Sequence, residues 1–193
     1  NQIRNCSTIG GNIVNGQPAA DSAVALAALG ASVEVMYEDG AELLSMDRLY
    51  AGFGKSTVDS TKSLVTRILI PAAGPGEGSG YARLEQRKAL ALPMVCVAAF
   101  LGIREGMVER CRIAMAPVGV GPVRAIEAER FLIGKAAEKE GFSEAGRLAL
   151  KNPRDSLIRG SESYREEVLP VMVERALSEA LSDAEGREKE VEQ

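Results

Sequence analysis

Four short stretches carry side chains whose types and spacing could do chemistry. The first is Thr8-Ile9-Gly10-Gly11-Asn12. Paired glycines at a strand start let backbone N–H groups face outward together as a nest, a concavity suited to phosphate oxygens. Thr8 and Asn12 add side-chain donors at its rim, although a Gly-Gly pair taken alone more often makes a plain turn. The second is Asp21. A carboxylate at a helix start can accept hydrogen bonds from the vicinal hydroxyls of a ribose or polyol. Alone it is more simply an N-cap worth about 1 kcal/mol to its helix. The third is Tyr81-Ala82-Arg83, whose first and last side chains leave one face of a strand. A ring there could lie on a flat heterocycle while Arg83 offsets negative charge; without context, an amphipathic surface strand is the simpler reading. The fourth is Ile158-Arg159-Gly160-Ser161-Glu162-Ser163-Tyr164-Arg165, a loop into the last helix whose arginines can pair with neighbouring glutamates to pin the fold and a partner surface.

What the sequence lacks narrows the chemistry further. It contains no His, so Ser-His-Asp and Cys-His pairs and imidazole-bound metals are out. No other side chain titrates near neutrality without tuning. Reactivity must come from buried Asp, Glu, Lys or Tyr, or more simply from a bound cofactor. Cys6, Cys96 and Cys111 stand far apart, without the Cys-x-x-Cys spacing of zinc or iron–sulfur sites, and suggest reduced thiols in a cytoplasm. A net charge of −4, with four Tyr and four Phe not interleaved with Lys or Arg, argues against nucleic acid. No apolar stretch approaches the roughly 20 residues of a membrane span.

The elements that must position these residues can be read from their periodicity and punctuation. Within residues 1–70, Asp21 or Ser22 starts and Gly30 stops a short Ala/Leu helix. Ala31 to Tyr37 alternates like a strand, Glu38-Asp39-Gly40 turns into Ala41 to Met46, and Leu64 to Ile70 is another strand ended by Pro71. The next ten residues hold four Gly and two Pro and read as an interdomain linker. Tyr81 to Gln86, Met94 to Ile103 and Val108 to Ala116 then form an antiparallel meander. Helices are expected at Ala125 to Leu132 and Ser143 to Leu150. A last helix opens on a Ser163/Glu166 capping box and carries a stripe of Leu169, Met172, Val173, Ala176, Leu177, Ala180 and Leu181. The charged tail from Asp183 reads as frayed.

Taken in order, these segments closely resemble the FAD-binding medium subunit of the xanthine dehydrogenase and carbon monoxide dehydrogenase family of molybdenum hydroxylases. The likeness starts at Gln2-Ile3-Arg4-Asn5, Thr8 to Ile13 and Pro18 to Asp21. It continues through Gly52 to Ser56, Ile68 to Pro71 and Tyr81 to Arg87. Arg112 to Val118, Pro122 to Ala125, Glu129 to Lys135 and Arg159 to Arg165 complete it. Ala91 departs from the Asp that many relatives carry after the Arg-rich segment.

The resemblance implies an α+β chain. Residues 1–70 would be the second lobe of a two-lobed FAD-binding domain and residues 71–80 a linker. Residues 81–182 would form a three-stranded antiparallel sheet with a helical bundle, and residues 183–193 a charged tail. The first lobe, with the other glycine-rich pyrophosphate loop, has no counterpart, so the chain reads as a piece of something longer or as needing a separate chain that carries that lobe. The resemblance also implies FAD as cofactor. Thr8, Ile9, Gly10, Gly11 and Asn12 would line its phosphate and ribityl region, Asp21 would bind its hydroxyls, and Val65 would be an apolar neighbour. Tyr81 would lie close to the isoalloxazine, and Arg83 occupies a position where relatives often carry a cation. Partner subunits would carry molybdopterin and 2Fe-2S clusters. The implied activity is electron relay through FAD to an external acceptor, the alternative being a non-catalytic docking module of the same complex.

Overall fold

The computed structural model describes residues 5–87, 91–149 and 162–191. Near its start the glycine pair lies in a helix rather than at a strand start. Thr8 is extended (φ −126°, ψ 153°), and its Oγ1 accepts a hydrogen bond from Gly11 N–H at 2.9 Å, which opens α1 (Ile9–Val14). The threonine hydroxyl satisfies one of the amide donors that every helix start leaves over, and this tips the two glycines into helical backbone. The apolar run that follows forms α2 (Asp21–Leu29), stopped at Gly30 in the left-handed region (φ 70°).

A three-stranded antiparallel sheet comes next, in the order β2-β1-β5, from β1 (Ser32–Tyr37), β2 (Gly40–Ser45) and β5 (Leu64–Leu69). Between β2 and β5 lie a short 3-10 turn (Met46–Leu49) and a small hairpin of β3 (Tyr50–Gly52) and β4 (Lys55–Ser56). Period-two alternation turns Val33, Val35 and Leu44 inward, where they are buried against α2.

A second antiparallel sheet runs β6-β7-β8-β9, from β6 (Glu77–Leu84), β7 (Val95–Arg104), β8 (Met107–Ala116) and the two-residue β9 (Val123–Arg124). The expected meander of three strands thus gains a short fourth. Glu77 to Gly80 were expected in a linker but form the first half of β6. Their glycines serve close packing. A Cβ at Gly78 would lie 2.2 Å from the carbonyl oxygen of Ala180, and one at Gly80 would lie 2.1 Å from that of Ala176. Those carbonyls belong to α5 (Glu162–Val191), which with α3 (Ile126–Leu132) and α4 (Lys139–Ala149) covers this face of the sheet. Val97, Leu101 and Ile113 from the strands meet Phe142, Val173 and Leu177 from the helices in one core.

Residues from Asp183, expected to fray, continue α5 instead. Ala184 is buried, and the Asp183 carboxylate accepts the Ser79 N–H at 2.9 Å, so contacts with β6 hold this turn in place. The loop expected at residues 158–161 lies outside the described residues, as does the Ser163 side chain of the expected capping box.

The other face of the second sheet rests on α2. Cys96, Ala98, Ala114 and Ala116 pack with Ala23, Val24 and Ala27 in a core continuous with the first sheet. Small side chains on both sides let helix and sheet approach closely. They also explain why α2 is apolar nearly all round: it is a middle layer with sheets on both sides.

Candidate functional site

The N-terminal end of α2 is where the segments singled out in the sequence meet. Asp21, in the first turn, points at the edge of the second sheet, where Tyr81 and Arg83 leave the same face of β6. Its Oδ1 accepts the Tyr81 hydroxyl at 3.2 Å and lies 3.2 Å from Arg83 Nε. Arg83 is held from its other side by the Glu85 carboxylate and by the Ala91 carbonyl at 2.6 Å. The Tyr81 backbone N–H donates to Glu179 of α5 at 2.9 Å, which fixes the strand beneath the ring. All three of the guanidinium's nitrogens and one oxygen of the Asp21 carboxylate are therefore engaged within the protein, while Asp21 Oδ2 has no partner among the described residues.

Burial pushes the Tyr81 phenol far above its ordinary range, and the neighbouring Cys96 thiol and Asp21 carboxylate push in the same direction. The phenol therefore stays protonated and remains a hydrogen-bond donor to Asp21. Burial also raises the Cys96 thiol, to about 12. Cys96 is thus an inert packing residue under the ring and not a nucleophile.

One helical layer away, α1 places the glycine segment beside the same end of α2. The Ser22 hydroxyl, next to Asp21, donates to Asn12 Oδ1 and leaves the Asn12 amide nitrogen as the outward donor. Thr8, Ile9, Gly11 and Asn12 are exposed, Ile9 at 59%. Gly11 N–H is taken by Thr8 Oγ1 and Asn12 N–H by the Thr8 carbonyl, so the Ile9 and Gly10 amides are the first-turn donors with no carbonyl within the helix to bond. Val65 of β5 sits under this turn, 3.9 Å from where a Gly10 Cβ would be. A Cβ at Gly11 would stand 3.0 Å from Thr8 Oγ1 and crowd the cap.

All nine residues named from the sequence are thus tied into one surface: Val65 under Gly10, Asn12 through Ser22 to Asp21, and Asp21 to Tyr81 and Arg83. Sequence reasoning missed Ser22, Glu85, Glu179 and Cys96. Only Ser22 carried a local signal, as the neighbour of Asp21 at a helix start. The donor set fits a dinucleotide. Amides, a hydroxyl and a carboxamide suit phosphate oxygens, and a carboxylate with one free oxygen suits polyol hydroxyls. Among the described residues no group of Cys, Asp and Glu could hold a metal ion, and no helix is long and apolar enough to cross a membrane.

Comparison with known proteins identifies the family. Residues 1–73 match the family model described as the FAD binding domain in molybdopterin dehydrogenase. Residues 81–180 match that of the CO dehydrogenase flavoprotein C-terminal domain. The chain belongs to the flavoprotein-subunit family of the molybdenum hydroxylases. Within that family it is similar to the carbon monoxide dehydrogenase medium chain of Afipia carboxidovorans, 31% identical over 95% of this chain and 63% of that one. It is also similar to the xanthine dehydrogenase FAD-binding subunit of Escherichia coli O157:H7, 27% identical over 96% of this chain and 64% of the other. The fold superposes on reconstituted CO dehydrogenase from Oligotropha carboxidovorans with a TM-score of 0.85 at 30% identity, covering 95% of this chain and 64% of that chain. The chain therefore spans a little under two thirds of the length of these flavoprotein relatives.

Proposed function

We propose that this chain forms one wall of an FAD site in a molybdenum hydroxylase and serves electron transfer there. The observation that carries the reading is the meeting of Asp21, Tyr81 and Arg83 at the same end of α2 as the exposed first turn of α1. In this reading the outward amides of Ile9 and Gly10, with Thr8 and the Asn12 amide, hold phosphate oxygens. Asp21 Oδ2 accepts from ribityl hydroxyls, and Val65 gives an apolar floor. Tyr81 and Arg83, locked by Asp21, Glu85 and Glu179, present a fixed ring and a fixed positive charge to the flavin.

Bound FAD would supply the redox chemistry, taking electrons from iron–sulfur clusters and releasing them to an external acceptor. The chain's own residues bind and orient it. Arg83 sets the local charge, and the permanently protonated Tyr81 adds none. A molybdopterin subunit and an iron–sulfur subunit are the proposed partners, with a further segment or chain closing the other side of the cofactor. The names of the relatives, which include FAD-binding subunits of dehydrogenases, support this assignment over a purely structural docking role.

The test is the visible spectrum of the chain purified alone and with its co-purifying partners. A flavin band near about 450 nm in the complex, weak or absent in the isolated chain, is expected for a cofactor held from two sides. A colourless complex contradicts the reading.

A further inference from the structure

The opposite end of α2 holds a second concavity that the flavin reading leaves unused. Nine residues of helix separate the two ends, about 12 Å at 1.5 Å per residue. The cavity has a volume of about 240 Å³ and lies between Leu29, the Ile70–Ala73 segment leaving β5, the start of β6 and the turn of α5 around Asp183. At about 30 Å³ per water it has room for a small anion with part of its hydration shell, and it is too small for a dinucleotide.

Its charged lining is unequal. Arg110, Arg112 and Arg187 face Glu77 and Asp183 across it, which leaves one positive charge in excess. Two of the arginines are spent. Arg110 pairs with the buried Glu77 carboxylate, whose Oε2 also accepts the Gly74 N–H at 2.8 Å. Arg187 Nε lies 3.2 Å from Asp183, which also holds Ser79 N–H. Arg112 is different. Its guanidinium carbon stands 5.5 Å from the centre of the Phe100 ring, with Arg110 at 5.7 Å from the same ring, and it presses against the Gly30 end of α2. No carboxylate among the described residues pairs with it. The ring and the helix C-terminus hold the cation in place without neutralising it.

Burial lowers the Arg112 pKa first, and the charges of Arg124 and Arg110 add to the effect, with Glu129 opposing. An anion seated in the cavity would relieve that repulsion. The half-buried position would also strengthen its hydrogen bonds to the planar guanidinium fork.

We propose that this cavity is a binding site for a small phosphate- or carboxylate-bearing anion, with Arg112 as its principal ligand and Arg110 and Arg187 as flanking charges. It is a reading independent of the flavin assignment, and no residue is common to both.

The experiment is a titration of the purified chain with inorganic phosphate and, separately, with acetate, at constant ionic strength held with chloride. The Nε–H signals of the arginine side chains are followed by NMR, alongside the melting temperature. The expected result is a saturable shift of the Arg112 signal with one or both anions, weakened about tenfold or more in Arg112→Gln, the loss of a charge-assisted hydrogen bond. Saturation by phosphate alone assigns a phosphate ligand, and saturation by both assigns the wider carboxylate class. Arg187→Gln, on the exposed side of α5, should weaken binding less and provides a second variant if Arg112→Gln does not fold. An Arg112 signal in the unsubstituted chain that moves no differently in phosphate or acetate than in chloride overturns the proposal. So does binding that survives both substitutions unchanged.

Discussion

The two faces of the second sheet are built from alternate residues of the same strands, yet they do different things. On the face toward α3, α4 and α5, Ala82, Val97, Leu101 and Ile113 join one apolar core, and Gly78 and Gly80 lie close against the backbone of α5. On the face toward α2, alanines and Cys96 fill the middle, and polar groups stand at both ends. Tyr81 and Arg83 mark one end, and Glu77, Arg110 and Arg112 the other. One face is given over to stability. The other uses small residues to seat a helix, and that helix's two ends gather the groups that can bind ligands.

Four substitutions can break or sharpen that contrast. The largest effect is expected for Gly80→Ala. The added methyl would meet the backbone oxygen of Ala176 and push α5 off the sheet, so chemical denaturation should show a loss of about 3 kcal/mol or more. A loss well under about 1 kcal/mol would mean that the helix yields easily and that the bundle face is not closely fitted.

Asp21→Ala, on the other face, should act on the ligand instead. Flavin affinity of the complex should fall about tenfold or more as a charge-assisted acceptor is lost. The carboxylate is half-exposed and its ion pair screened, so the melting midpoint should change little. Tyr81→Phe removes only the hydroxyl that steadies Asp21 and should cost about 1 kcal/mol in stability. Flavin retention should fall less than in Asp21→Ala, a difference that equilibrium dialysis can read.

Asp183→Asn should show the smallest effect, visible in the pH dependence of unfolding. Burial alone would raise this carboxyl, but the Ser79 N–H and Arg187 outweigh it and hold the pKa below its ordinary value of 3.8. The stabilisation this gives is present above the unfolded-state pKa, near about pH 4, and is lost as pH falls through the lower folded value. The asparagine variant should therefore be slightly less stable at neutral pH and lose less on acidification. Parallel curves for the two proteins would show that this contact does not tie α5 to β6.

Much of this arrangement was legible in the sequence where the signal was local. α2 had a start at Asp21 and a stop at Gly30, the β1–β2 hairpin had Asp39-Gly40, and β5, β7 and β8 alternated or ran apolar between turns. α1 was not legible, because six residues are too few for a period and the decisive contact is one threonine hydroxyl. Gly78 and Gly80 look the same in a linker and in a strand crossed closely by a helix. Only the approach of α5, about a hundred residues later in the chain, tells them apart. The tail from Asp183 misled in the same way, since a run of charge does not reveal that Ala184 is buried and that Asp183 caps a strand amide. For the candidate site, resemblance named the nine residues but not the pairing of Asp21 with Arg83, which long-range packing creates. The cavity around Arg112 had no sequence signal, because its lining comes from six separate segments.

The central claim is that the Asp21 end of α2 holds the flavin. It is tested most directly by the dissociation constant for FAD of the deflavinated complex carrying Asp21→Ala, set beside the unsubstituted complex. A value at least about tenfold weaker, with the melting midpoint of the flavin-free protein nearly unchanged, is the predicted result. Equal affinity in the two complexes would contradict it.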